Sequence, residues 1–226
     1  TAYNRYPNAL SELFANETYY SALKNTLDFY ISIELADGNM PTNVNGTCQQ
    51  DYGTDPDARV QWCHGAPGFI NVFSESAELF SRYNESAAEM YFETALRTAN
   101  VTWNRGLLVK GTMYCHGIGG NINMLWEFAQ RIEQLEENAP PSFVQRLEAD
   151  GYDLEFSKNE SAWRAKQFVI WTLNWSNINK TRIYDSNEAY SMYQGNFALP
   201  MTYIQMLSDG WPFAESVCHP GWNLCL

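Results

Sequence analysis

Residues 61–68 read QWCHGAPG and residues 114–121 read YCHGIGGN, two Cys-His-Gly steps about fifty residues apart, each in front of a glycine-rich helix entrance. That repetition constrains the fold more than any total does. Glycine lets the backbone approach a neighbour closely and take positive φ ahead of a first helical turn. The helix that follows offers unsatisfied N–H groups and a partial positive charge at its start, and a cysteine placed there has its pKa lowered. Such a loop, used twice, is either a packing device or half of a shared binding site.

The surrounding pattern is helical nearly throughout. Residues 8 to 35 place Leu10, Leu13, Phe14, Leu23, Leu27, Tyr30 and Ile31 at three- and four-residue spacing, which predicts one amphipathic helix stopped by Asp37-Gly38-Asn39. A polar loop runs to about residue 60, and Gly65-Ala66-Pro67-Gly68 then opens a helix, with proline suited to its first turn. Residues 85–99 answer as a second helix. The unit recurs: Gly117-Ile118-Gly119-Gly120 opens a long helix, Pro140-Pro141 breaks it, and a short helix follows to Ala149. Residues 159–176 give a further amphipathic stretch, and YQGNFALPMTYIQML, with Gly195-Asn196-Phe197-Ala198, reads as a weaker third copy. No segment alternates like a strand. The expectation is an all-α chain of stacked helical hairpins in one domain.

Composition narrows the function. At 226 residues one domain is the first reading, and 45% hydrophobic residues suffice for a core. A formal net charge of −12 disfavours nucleic acid and anionic membrane surfaces as partners. No run of eighteen apolar residues exists, so no membrane span is expected. Seven Asn-X-Ser/Thr acceptor sites begin at Asn16, Asn45, Asn84, Asn100, Asn159, Asn174 and Asn179, where chance predicts roughly two or three. With most near helix ends, they point to a secreted glycoprotein, and a start at Thr1-Ala2-Tyr3 reads as a processed or excised product.

Cys63, Cys115 and His116 would meet if the two helices lie side by side. Two thiolates and one imidazole make an open zinc set, Cys2His plus one free position, whereas a closed structural site wants a fourth protein ligand. The alternatives are buried small side chains or a Cys63–Cys115 disulfide. Of the remaining cysteines, Cys218 and Cys225 form the simplest local disulfide in an irregular tail over 209–226, and Cys48 is left over. His64 is the one nearby candidate for acid–base work, against the plainer role of orienting its loop by hydrogen bonding. Glu75 and Glu78, at helical spacing, read as a solvated face rather than a glycosidase pair.

Gln61-Trp62-Cys63-His64-Gly65-Ala66-Pro67-Gly68, then Gly106-Leu107-Leu108, then Cys115-His116-Gly117 with Gly120-Asn121, resembles the lanthionine synthetase C-like (LanC-like) proteins. Gly38-Asn39-Met40-Pro41 resembles the stretch before their first cysteine, and the order of motifs covers about residues 36 to 208. The resemblance implies a toroid of helical hairpins, here a partial one matching the C-terminal half over 1–226, with zinc held by Cys63, Cys115 and His116. It implies thiol activation for addition to a dehydroamino acid, but the family's acid–base residues lie in repeats that would precede this chain.

Two functions are expected from different classes. A cut ring would leave apolar helix faces to be covered by further copies of the chain or by a missing N-terminal half, so the first is a secreted, self-assembling fibre or coat module that keeps the zinc site as a staple. The second is a zinc-dependent thiol enzyme, a lanthionine synthetase or a glutathione-binding transferase, taking a small thiol as partner.

Overall fold

A computed structural model describes residues 7–42, 57–108, 110–174 and 198–209. These residues form eight helices: α1 Pro7–Ala15, α2 Glu17–Ser32, α3 Ala66–Phe80, α4 Glu85–Arg105, α5 Ile118–Asn138, α6 Pro141–Ala149, α7 Leu154–Leu173 and α8 Ala198–Ser208. Among the described residues there is no strand, and the one extended pairing is an isolated bridge between Gln61 and His64. The third helix entrance, over 195–197, and Cys48, Cys218 and Cys225 lie outside the described residues, as do Asn45 and Asn179.

The first helical stretch is two helices rather than one. Asn16 stands between them in extended backbone, and its side chain accepts from the N–H groups of Thr18 and Tyr19 at 3.0 and 3.3 Å. A competing side-chain cap ends one helix and starts the next without disturbing the apolar spacing, so periodicity alone could not see the break. Asn84 and Asp153 cap α4 and α7 in the same way, through Ala87 and Phe156. Both of these helices begin or extend beyond the expected bounds: α4 runs to Arg105 and α7 starts at Leu154.

Helix α3 packs along α4 and α5 packs along α7, and the two hairpins meet through α3 against α5, with α8 also lying on α5. Helix α2 leans on the first hairpin: Tyr20 tilts against Phe80, Tyr30 meets Phe69 edge-on, and Tyr91 donates to Asp28 at 3.0 Å. The core runs unbroken between the hairpins through Ile70, Phe73, Phe80, Tyr91, Phe92, Ile118, Ile122, Leu125 and Phe128. Each such side chain contributes roughly 1.5–3 kcal/mol by leaving water.

Helix α4 is polar in composition yet deeply packed. Thr94, Thr98 and Thr102 are buried, and each hydroxyl donates to the carbonyl four residues back, at 2.8, 3.0 and 2.8 Å. With Ala88, Ala95 and Ala99 they make a face of small side chains, which lets neighbouring helices come close without leaving a buried hydroxyl unpaired. The tight packing aligns the starts of α3 and α5, and those starts carry the site.

Candidate metal centre

The loops before α3 and α5 are built alike. The carbonyl oxygen of Trp62 lies where a Cβ on Gly68 would stand, at 2.2 Å, and the carbonyl oxygen of Tyr114 lies 2.0 Å from a Cβ on Gly120. In each loop the residue before the cysteine thus folds back onto the first turn of the helix that follows, and only glycine leaves room. Trp62 and Tyr114, each directly before one of the two cysteines, themselves pack edge-on, with ring centroids 5.0 Å apart. The amide of Cys63 donates to the carbonyl of Cys115 at 3.1 Å, joining one loop to the other.

Two buried asparagines hold this arrangement. Asn39 Oδ1 accepts from the Ala66 amide at 2.8 Å, capping α3 from 27 residues away. Its Nδ2 donates to Asp57 and to the Arg59 carbonyl at 2.8 and 3.1 Å. Gly65, which stands at the N-cap with φ 100°, has no side chain to cap with, so Asn39 supplies what it lacks. Asn121 Nδ2, in the first turn of α5, donates to the carbonyls of Val60 and Gly106 at 3.0 and 2.9 Å. Both residues stand in the quoted motifs, but their part in the site depends on long-range contacts and had no signal in spacing.

Cys63, Cys115 and His116 come together, with their ligand atoms all within 4.8 Å of one another. Both cysteines are free thiols, half-buried. Tetrahedral zinc–thiolate geometry wants sulfurs about 3.8 Å apart, given Zn–S bonds of about 2.3 Å, so the donor set and its span fit a zinc ion with one position open. The electrostatics agree. Burial, and then Cys63, push the Cys115 thiol up to about 12, a cost that a divalent cation would reverse. Burial holds the His116 imidazole below its usual value, helped by Lys110, Arg59 and His64, so the ring is neutral and able to ligate.

His64 stands beside the cluster and outside it. Its backbone N–H and C=O exchange hydrogen bonds with Gln61, both at 3.0 Å, and its side chain bonds the backbone of Thr42. Those contacts fit the loop-orienting role, and burial with Arg59 lowers its pKa. Glu75 pairs with Arg131 at 2.5 Å, while Glu78 is half-buried rather than solvated, its carboxyl raised by burial.

A helical scaffold whose two equivalent loops bring two thiols and an imidazole to one end belongs to the class of α-helical proteins with a Cys-Cys-His centre. The chain belongs to the lanthionine synthetase C-like protein family, whose pattern matches residues 7–145. It is also similar to "Glutathione S-transferase LANCL1" of Danio rerio, 32% identical over 102 residues, a stretch that covers 45% of this chain and 22% of that protein.

Proposed function

We propose that the chain holds zinc through Cys63, Cys115 and His116 and uses the open position to bind and activate a small thiol. The observation that carries this is the convergence of three donors within 4.8 Å on two loops that are themselves pinned by Asn39 and Asn121. Zinc held there would lower the pKa of an incoming thiol and keep its sulfur nucleophilic near neutral pH. The chain's own residues supply the rest. Trp62 and Tyr114 pack against each other and brace the two loops, and His64 fixes the first loop against Thr42. Arg59 and Lys110 place positive charge beside the imidazoles on a chain whose formal net charge is −12, which favours a thiol that carries carboxylates. The name of the zebrafish relative supports glutathione as the thiol to try first.

The test is native mass spectrometry of the purified chain, with and without a chelator and then with glutathione. One zinc per chain, lost with chelator and needed for addition of one thiol, is expected. A chain that comes metal-free and takes up no zinc on titration overturns the reading.

A second reading, a secreted module that assembles with copies of itself or with a missing N-terminal half, is supported by the acceptor asparagines. Asn16, Asn100, Asn159 and Asn174 are exposed, and Asn84 is half-buried. Asn16, Asn84 and Asn174 stand at helix ends, but Asn100 and Asn159 lie inside α4 and α7. Helix α8 also leaves Met201, Ile204 and Leu207 exposed. Glycosidase-sensitive mass on chains expressed through a secretory route, together with large assemblies that survive chelation, supports this reading; unmodified monomers overturn it.

A further inference from the structure

We infer that Gln61 is a positioning residue for the Cys63 ligand, holding its sulfur through an N–H···S hydrogen bond and itself held by Lys110. The inference rests on the metal reading above and extends it to a residue outside the ligand set. Gln61 is 3% exposed. Its Nε2 lies 3.3 Å from Cys63 Sγ, and its Oε1 accepts from Lys110 Nζ at 2.9 Å. An ammonium group only donates, so it fixes which way the amide turns: the oxygen faces Lys110 and the NH2 faces sulfur. The backbone of Gln61 is fixed as well, by its reciprocal bonds with His64 at 3.0 Å.

The contacts therefore run from the first ligand loop to the strand of chain that leads into the second. Lys110 precedes Cys115 and His116, so a move of either loop strains the same chain of bonds. On a metal-bound thiolate, an N–H donor draws charge from the sulfur lone pairs and sets the direction of the Cβ–Sγ bond. Both effects favour Cys63 as a ligand and weaken it as a nucleophile in competition with an incoming thiol. Loss of such an outer partner typically costs about 10–100-fold in metal affinity.

The experiment uses the full chain loaded with cobalt(II), with zinc affinity read by chelator competition. Gln61→Met keeps the length of the side chain and removes the donor. Its expected outcome is roughly tenfold or greater loss of affinity for both ions, with the sulfur-to-cobalt charge-transfer absorption moved to lower energy. Lys110→Met, which frees the amide to turn, should move both readouts in the same direction by less. Wild-type absorption and affinity in Gln61→Met overturn the inference while leaving the metal reading intact. If metal-free Gln61→Met loses its helical circular dichroism, Lys110→Met decides, and an unchanged band and affinity there overturn the inference. A wild-type chain that takes up no cobalt overturns the metal reading and this inference together.

Discussion

The amide of Cys63 donates to the carbonyl of Cys115 at 3.1 Å, so the two ligand-bearing loops are tied through their main chains before any metal is considered. Because the backbone makes this link, the separation of the two sulfurs is set by loop conformation and two rotamers. On the metal reading proposed above, the rigidity of the loops would set metal affinity, and the packing around them can be tested by the measurements that follow.

Asn39→Ala removes the acceptor for the Ala66 amide and the donor for the Arg59 carbonyl, at a site with no exposure to water. Each buried group left unpaired costs about 1–3 kcal/mol, so a total loss of about 2–6 kcal/mol is expected in urea unfolding of the metal-free chain. Asn39→Asp restores the helix cap but faces Asp57 with a second carboxylate, and it should recover little.

Gly120→Ala and Gly151→Ala separate crowding from backbone strain. A Cβ at position 120 would sit 2.0 Å from the Tyr114 carbonyl oxygen and 3.0 Å from the Trp62 Cβ, so the ligand loop must shift. At position 151 a Cβ meets nothing within 4 Å, but φ is +95°. Gly151→Ala should cost about 1–2 kcal/mol and leave zinc affinity unchanged. Gly120→Ala should cost about 3 kcal/mol or more and weaken zinc binding as well. Equal effects on zinc from the two variants would show that the loop is not held as described.

Metal uptake should depend on pH with a fixed sign. The Cys115 thiol, pushed up to about 12 by burial and by Cys63, carries its proton near neutrality and must lose it to ligate. Zinc binding therefore releases at least one proton, and apparent affinity should rise about tenfold or more per pH unit between about pH 6 and 8. The His116 imidazole, held below its usual 6.5, competes for protons only in more acidic solution. Competition titrations across that range give the slope; a flat profile would remove Cys115 from the ligand set.

Asp57 should contribute to acid sensitivity. Burial raises its carboxyl, but hydrogen bonds from Arg105 and Asn39 outweigh burial and hold it below the usual 3.8. A folded-state value below the unfolded one means the stabilisation is present above about pH 4 and is lost as pH falls through the lower folded value. Arg105→Ala should thus be less stable than wild type at neutral pH, with the gap in urea midpoint narrowing as the pH falls through the lowered folded-state value of Asp57. A gap that stays constant with pH would mean that the contribution of Arg105 is packing alone.

Much of the helical architecture was legible because apolar residues recur at three and four positions and glycine and proline mark the breaks. Helices α3 and α5 begin where GAPG and GIGG predict, and Pro140-Pro141 separates α5 from α6. The division at Asn16 was not legible, since one side chain competing for two amides leaves the apolar spacing intact. The burial of Thr94, Thr98 and Thr102 was hidden too, because a hydroxyl that bonds its own helix behaves as a small packing group.

By itself, the sequence determined that this protein is helical, that two equivalent loops open two of its helices, and that Cys63, Cys115 and His116 are the donors worth bringing together. These are matters of local spacing and residue chemistry. Only the tertiary structure decided that the three do converge, that Asn39 caps α3 from 27 residues away, and that Gln61 and Lys110 stand behind Cys63. The reason is that a hydrogen bond between distant residues leaves no period in the chain: it exists only once the helices are packed closely enough to align their starts.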